Sequence, residues 1–151
     1  MEPLVQLNNQ AKLSEHFVLG EFTQSGSHPE VYNIPSHEAI ANLKRLCGWL
    51  EVLRERSGTP IRINSGYRSP QLNRAIHGNA NSNHMTGCAC DIRVSGMEQA
   101  LRYAVILMDY ADESKQEFDE LLIEKNRYGA IWVHFAVRPK DNRRKILFVN
   151  A

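Results

Sequence analysis

Apolar positions recur at three- and four-residue steps between Ser36 and Gly58, where Ile40, Leu43, Leu46, Cys47, Leu50 and Leu53 share one face. This spacing predicts an amphipathic helix. Ser36 offers an N-cap hydroxyl, Glu38 lies in the first turn and Gly58 closes the segment. A second stripe, Met97, Ala100, Leu101, Ala104, Val105 and Met108, follows Gly96 and predicts a helix that ends before the charged residues 109–116. The Ser69-Pro70 pair predicts a short helix reaching about Ile76, closed by Gly78. Leu13, Phe17, Leu19 and Phe22 predict a helical turn or two that pins the chain onto the core, and Gly26, Pro29 and Pro35 mark residues 24–35 as loop.

Strict alternation takes over elsewhere. Ile61 and Ile63 alternate with Arg62 and Asn64 in a short strand that ends at Ser65 and Gly66. Cys88, Cys90, Ile92 and Val94 alternate likewise, which turns one face inward and leaves Asp91 on the other. Residues 118–125 and 130–138 predict two strands joined by hairpin chemistry at 126–129, and the apolar pulse 146–149 predicts an edge strand. Helices followed by strands in this order predict an α+β fold, a small antiparallel sheet backed by helices. Residues 1–12 are polar and unpatterned and read as an N-terminal arm; residues 13–151 read as a single domain.

The length of 151 residues suits one core. A formal charge of +1 excludes the broad basic field that a nucleic-acid backbone or an anionic membrane requires. The longest apolar run, residues 103–108, is far short of the roughly 20 residues that span a bilayer. Asn8, Asn9 and Gln10 interrupt the start where a secretory signal needs an apolar stretch, so the expectation is synthesis in the cytoplasm without a signal peptide. Cys47, Cys88 and Cys90 are an odd count with no framework spacing and read as reduced thiols.

Chemistry concentrates between Ser65 and Asp91, where a loop rich in Asn, Ser and Gly presents His84 ahead of Asp91. Asp91 lies mid-strand among apolar residues, where a carboxylate needs a cation or donors to compensate its burial. His134 interrupts the apolar strand Ile131-Trp132-Val133-His134-Phe135 in the same manner. Two imidazoles and one carboxylate leave a fourth tetrahedral position free, the arrangement of a hydrolytic zinc site. By spacing alone, His134 reads more readily as a hydrogen-bonded core histidine.

Several words in order then carry a resemblance. Ser65-Gly66-Tyr67-Arg68-Ser69-Pro70, Leu72-Asn73, Ser82-Asn83-His84-Met85-Thr86-Gly87, Ala89-Cys90-Asp91-Ile92 and Trp132-Val133-His134 resemble the zinc D-Ala-D-Ala carboxypeptidase family, whose metal-site fold is shared with the hedgehog signalling domain. Leu13-Ser14-Glu15-His16-Phe17 resembles that family's opening, and residues 119–124 resemble its penultimate strand. The resemblance implies a hedgehog/DD-peptidase-like fold, one zinc ion held by His84, Asp91 and His134, and Arg68 at the position that receives a substrate carboxylate or oxyanion. It also implies Ser82 as a substrate-side or supporting hydroxyl, which otherwise reads as a turn former. Without the resemblance Arg68 reads as a surface ion pair.

Better-known members carry an acid three residues before the last histidine, where this chain has Ile131. Counting back from the 126–129 turn sets Glu124 opposite Ile131, so Glu124 is the candidate general base, with Asp119 and His77 in reserve. Glu124 reads equally as an exposed hairpin charge. Tyr67 is a candidate substrate contact, and both Tyr67 and Trp132 read either as cleft walls or as caps on the core. Cys88 and Cys90 with His84 are a competing closed zinc site, disfavoured because their period points both thiols away from Asp91.

The function implied is hydrolysis of peptidoglycan peptides, as a D-Ala-D-Ala carboxypeptidase or an endopeptidase, in the manner of a phage or prophage lytic enzyme. Its partner is a peptidoglycan peptide, with no nucleic acid involved. The alternative is a binding module of the same fold that contains zinc but does not hydrolyse, which Ile131 favours. A non-haem iron oxygenase would use the same donor types but with a different spacing.

Overall fold

A computed structural model describes residues 8–26 and 28–151. The expected arm over residues 1–12 therefore lies outside the description up to residue 7. Its described end folds back onto the next turn: Lys12 bridges Val18, and the Leu19 and Gly20 amides donate to the Ala11 and Asn9 carbonyls. A 3-10 turn, Leu19–Phe22, then buries Leu19 and Phe22.

Helix α1, His37–Ser57, begins where the Ser36 hydroxyl accepts from the Ala39 amide and ends at Gly58, whose φ of 70° is the left-handed conformation that glycine supplies without strain. Strand β1 is Ile63–Ser65, and helix α2 is Pro70–Ala75, capped by Ser69. A 3-10 turn over Asn83–Thr86 leads to strand β2, Ala89–Arg93. Helix α3, Met97–Ser114, runs past the expected end near Met108. The charged residues that read as loop are its solvent face, while Tyr110 and Ala111 keep the apolar stripe against the core.

Strands β3, Glu120–Lys125, β4, Ile131–Ala136, and β5, Lys145–Asn150, complete a five-stranded sheet in the order β1-β2-β4-β3-β5. The expected α+β class holds, with three α-helices and this one sheet among the described residues. The expected edge strand β5 runs parallel to β3, whereas every other pair is antiparallel. After β4 the chain turns back and passes to the far side of β3, so it must run in the direction of β3. The Arg144 and Lys145 amides donate to the Phe118 and Asp119 carbonyls at that entry.

Period two divides the sheet between two tasks. Cys90, Ile92, Leu121, Ile123, Val133 and Phe135 pack with Leu43, Leu46, Leu50 and Leu53 of α1 and Ala104 and Leu107 of α3. Trp49 sets its ring edgewise on Tyr110 and Phe118 in the same core. The alternate positions, Asp91, Glu120, Leu122, Glu124 and His134, line a cleft on the other face. Among the described residues no helix is long and apolar enough to cross a membrane.

Candidate metal centre

The hairpin register differs from the expected one by a residue. Asn126 and Ala130 close the turn, so Lys125 pairs with Ile131 and Glu124 pairs with Trp132. Ile131 packs against the core, so an acid there would face away from the cleft. Glu124, Trp132, Leu122 and His134 share the cleft side by the alternation of the paired strands.

His84 arrives from the loop. The Ser82 hydroxyl accepts from the His84 amide, and Gly87, with a φ of 76°, ends the turn. The ring is almost wholly buried, its Nδ1 lying 2.7 Å from the Gly66 carbonyl. With the proton on Nδ1, Nε2 offers a lone pair, and this buried atom has no hydrogen-bond partner. It points toward Asp91, whose Oδ1 lies 3.4 Å away and 3.1 Å from His134 Nδ1. The three donor atoms lie within 4.8 Å of one another. Ligands about 2.0–2.1 Å from one tetrahedral ion are separated by about 3.3 Å, which these contacts approach.

Asp91 and His134 shift one another in opposite directions. Burial alone would raise the Asp91 carboxyl, but the flanking imidazoles hold it below the ordinary range. Burial works to lower His134, yet hydrogen bonds and charge from Asp91 and Glu120 push it up to about 9. The donor set and the orphaned His84 nitrogen together fit a divalent ion. No cysteine joins the cluster among the described residues; Cys47, Cys88 and Cys90 are buried free thiols, and burial raises the pKa of each.

A cleft of about 460 Å³ opens over the three donors and includes Arg68, Ser82 and Glu124. Arg68 donates from one terminal nitrogen to Asn73 Oδ1 at 3.2 Å and holds the other 3.9 Å from Asp91 Oδ2. Its buried Nε has no partner. Glu124 is half-buried; burial and then the Asp91 charge raise its pKa. It is therefore a cleft residue, not an exposed hairpin charge.

Other candidates fall elsewhere. Tyr67 does not line this cleft: it is 7% exposed in the core, with its amide bonded to the Phe22 carbonyl. Asp119 is fully buried and neutralised by Arg143 and Arg138, and His77 is exposed outside the cleft. Trp132 sits opposite Glu124 on the paired strand but does not line this cleft. Glu120 was not among the residues expected here, yet its Oε1 lies 2.9 Å from His134 Nε2. Alternation from Glu124 through Leu122 was the available signal, because it places Glu120 on the same face.

Fold and site thus define a mixed α+β domain with a candidate divalent-metal centre open to a cleft. A family model described as Peptidase M15 matches residues 15–121, more than half of the chain. The chain belongs to the peptidase M15 family. A fold comparison matches the crystal structure of the Serratia marcescens L-Ala D-Glu endopeptidase ChiX, at 19% identity and a TM-score of 0.44, over 74% of this chain and 96% of that one. No curated protein sequence matches this chain.

Proposed function

We propose that this chain is a zinc-dependent peptidase that hydrolyses peptidoglycan peptides, either removing a terminal D-alanine or cutting a D-amino-acid-containing cross-link. The observation that carries the reading is the convergence of His84 Nε2, Asp91 Oδ1 and His134 Nδ1, with the buried His84 nitrogen making no hydrogen bond. Family membership supports the peptidase class. The peptidoglycan substrate rests on the motif resemblance in the sequence.

A zinc ion held by these three residues would supply Lewis acidity to the scissile carbonyl and to water. The protein's own groups do the rest. Glu124 takes the proton of the attacking water and returns it to the leaving amine, a task suited to a half-buried carboxyl of raised pKa. Arg68 presents its guanidinium to the substrate carboxylate or to the developing oxyanion. Asn73 steadies Arg68, so little reorganisation is needed when substrate arrives.

The test combines elemental analysis with incubation on purified peptidoglycan, reading released D-alanine and new amino termini. Wild type retains about one zinc per chain and releases product. His134→Ala loses both metal and activity, whereas Glu124→Gln keeps the metal and loses turnover. Normal cleavage by Glu124→Gln would place the base elsewhere. A zinc-loaded wild type that binds peptidoglycan without releasing product would instead make the chain a binding module.

A further inference from the structure

His134 is held at both ring nitrogens. Nδ1 lies 3.1 Å from Asp91 Oδ1, on the side where the donor atoms converge, while Nε2 lies 2.9 Å from Glu120 Oε1. A neutral imidazole offers a lone pair at Nδ1 only when its proton sits on Nε2, and an acceptor at Nε2 selects that tautomer. Glu120 is itself held. Its Oε1 accepts from Asn83 Nδ2 at 2.7 Å, and Arg143 lies 3.7 Å from its Oε2.

The amide of Asn83 is fully used. Nδ2 also donates to Asp119 Oδ2 at 2.8 Å, and Oδ1 accepts from Arg138 Nε at 2.9 Å. Asn83 precedes His84 on the same 3-10 turn. The side chain that steadies Glu120 is therefore carried by the segment that delivers the first imidazole. Glu124 makes no such bond to an imidazole and has the cleft before it.

We propose that Glu120, clamped by Asn83, is a positioning residue of the metal centre: it keeps the proton of His134 on Nε2 and aims Nδ1 at the point reached by His84 Nε2 and Asp91 Oδ1. This rests on the reading of the site as a zinc centre. The two acids of β3 then divide the work, Glu124 moving protons and Glu120 orienting a ligand. Supporting carboxylates on metal-bound imidazoles alter affinity by about 10- to 100-fold when removed.

The experiment measures zinc affinity by chelator competition in wild type, Glu120→Ala and Glu120→Gln, beside the proton spectrum of the zinc-loaded proteins and a melting curve for each. The expected result is a loss of about 10- to 100-fold in Glu120→Ala, partly restored in Glu120→Gln, which keeps an acceptor oxygen. Wild type should show a protected His134 Nε2–H resonance that broadens or vanishes in Glu120→Ala. If Glu120→Ala does not fold, Glu120→Gln and the wild-type spectrum decide. Variant affinities within about twofold of wild type, or His134 binding zinc through Nε2, would overturn the proposal and leave the zinc reading standing. A wild type that binds no zinc would overturn that reading, and this inference with it.

Discussion

The Nδ1–H of His84 donates to the Gly66 carbonyl at 2.7 Å, so the first imidazole is oriented by backbone from the turn that follows β1. Gly66 can hold that carbonyl because it has no side chain: a Cβ there would lie 2.7 Å from both Cα and the carbonyl oxygen of Phe22. Substituting alanine forces the turn away from the Leu19–Phe22 segment, with the carbonyl moving too. Gly66→Ala is expected to lose about 1–3 kcal/mol of stability, as overpacking does. It should also bind zinc more weakly, checked by urea unfolding and chelator competition.

Arg68 combines a buried, unpartnered Nε with terminal nitrogens shared between Asn73 and the edge of Asp91. A planar fork recognises a carboxylate or oxyanion through paired donors that a lysine ammonium cannot reproduce. Arg68→Ala is expected to lower kcat/KM by about 100-fold with zinc content unchanged, and Arg68→Lys to restore little of it. Steady-state kinetics on a synthetic stem peptide, beside metal analysis, checks both.

Asp119 anchors the entry of β5. Burial alone would raise its carboxyl, but hydrogen bonds from Arg143 and Asn83 and the charge of Arg138 hold it at about 2 instead of its ordinary 3.8. A folded-state pKa below the unfolded one gives stability that is full above the unfolded value and fades as pH falls toward the folded value. Asp119→Asn is therefore expected to cost about 2 kcal/mol near pH 7, with the gap to wild type narrowing between about pH 4 and pH 2. Urea unfolding of both proteins across that range measures it.

The elements that were legible in the chain are those with a local physical cause. Ser36 and Gly58 bound α1 because a cap hydroxyl and a left-handed glycine act on their immediate neighbours. The alternation of Cys90, Ile92 and Asp91 assigned the two faces of β2 correctly for the same reason. The end of α3 was not legible, because charges on an exposed helical face and charges in a loop are the same letters; burial of Ala111 decides between them.

The site divides in a similar way. Asp91 and His134 stood out as polar residues in apolar strands that must compensate them, and His84 as a residue presented by a polar loop, but their meeting depends on pairing β2 with β4 and on the turn that carries His84. The hairpin register slipped by one in the reading of the turn, which put Glu124 opposite Ile131 instead of Trp132. A one-residue slip reverses the facing of a side chain across the pair, so a turn's hydrogen bonds settle what composition cannot. Tyr67 had a motif position suited to the cleft, yet core packing claimed its ring.

By itself the order of residues determined the caps of α1 and the two faces of β2, and it singled out three side chains that could hold a cation. Those follow from short-range sterics and from the cost of burying charge. Only the tertiary structure decided that Glu120 stands behind His134, that β5 lies parallel to β3, and that Ile131 faces the core. Each of these depends on which distant segments become neighbours, and that is settled by the packing of the whole sheet and not by any local preference.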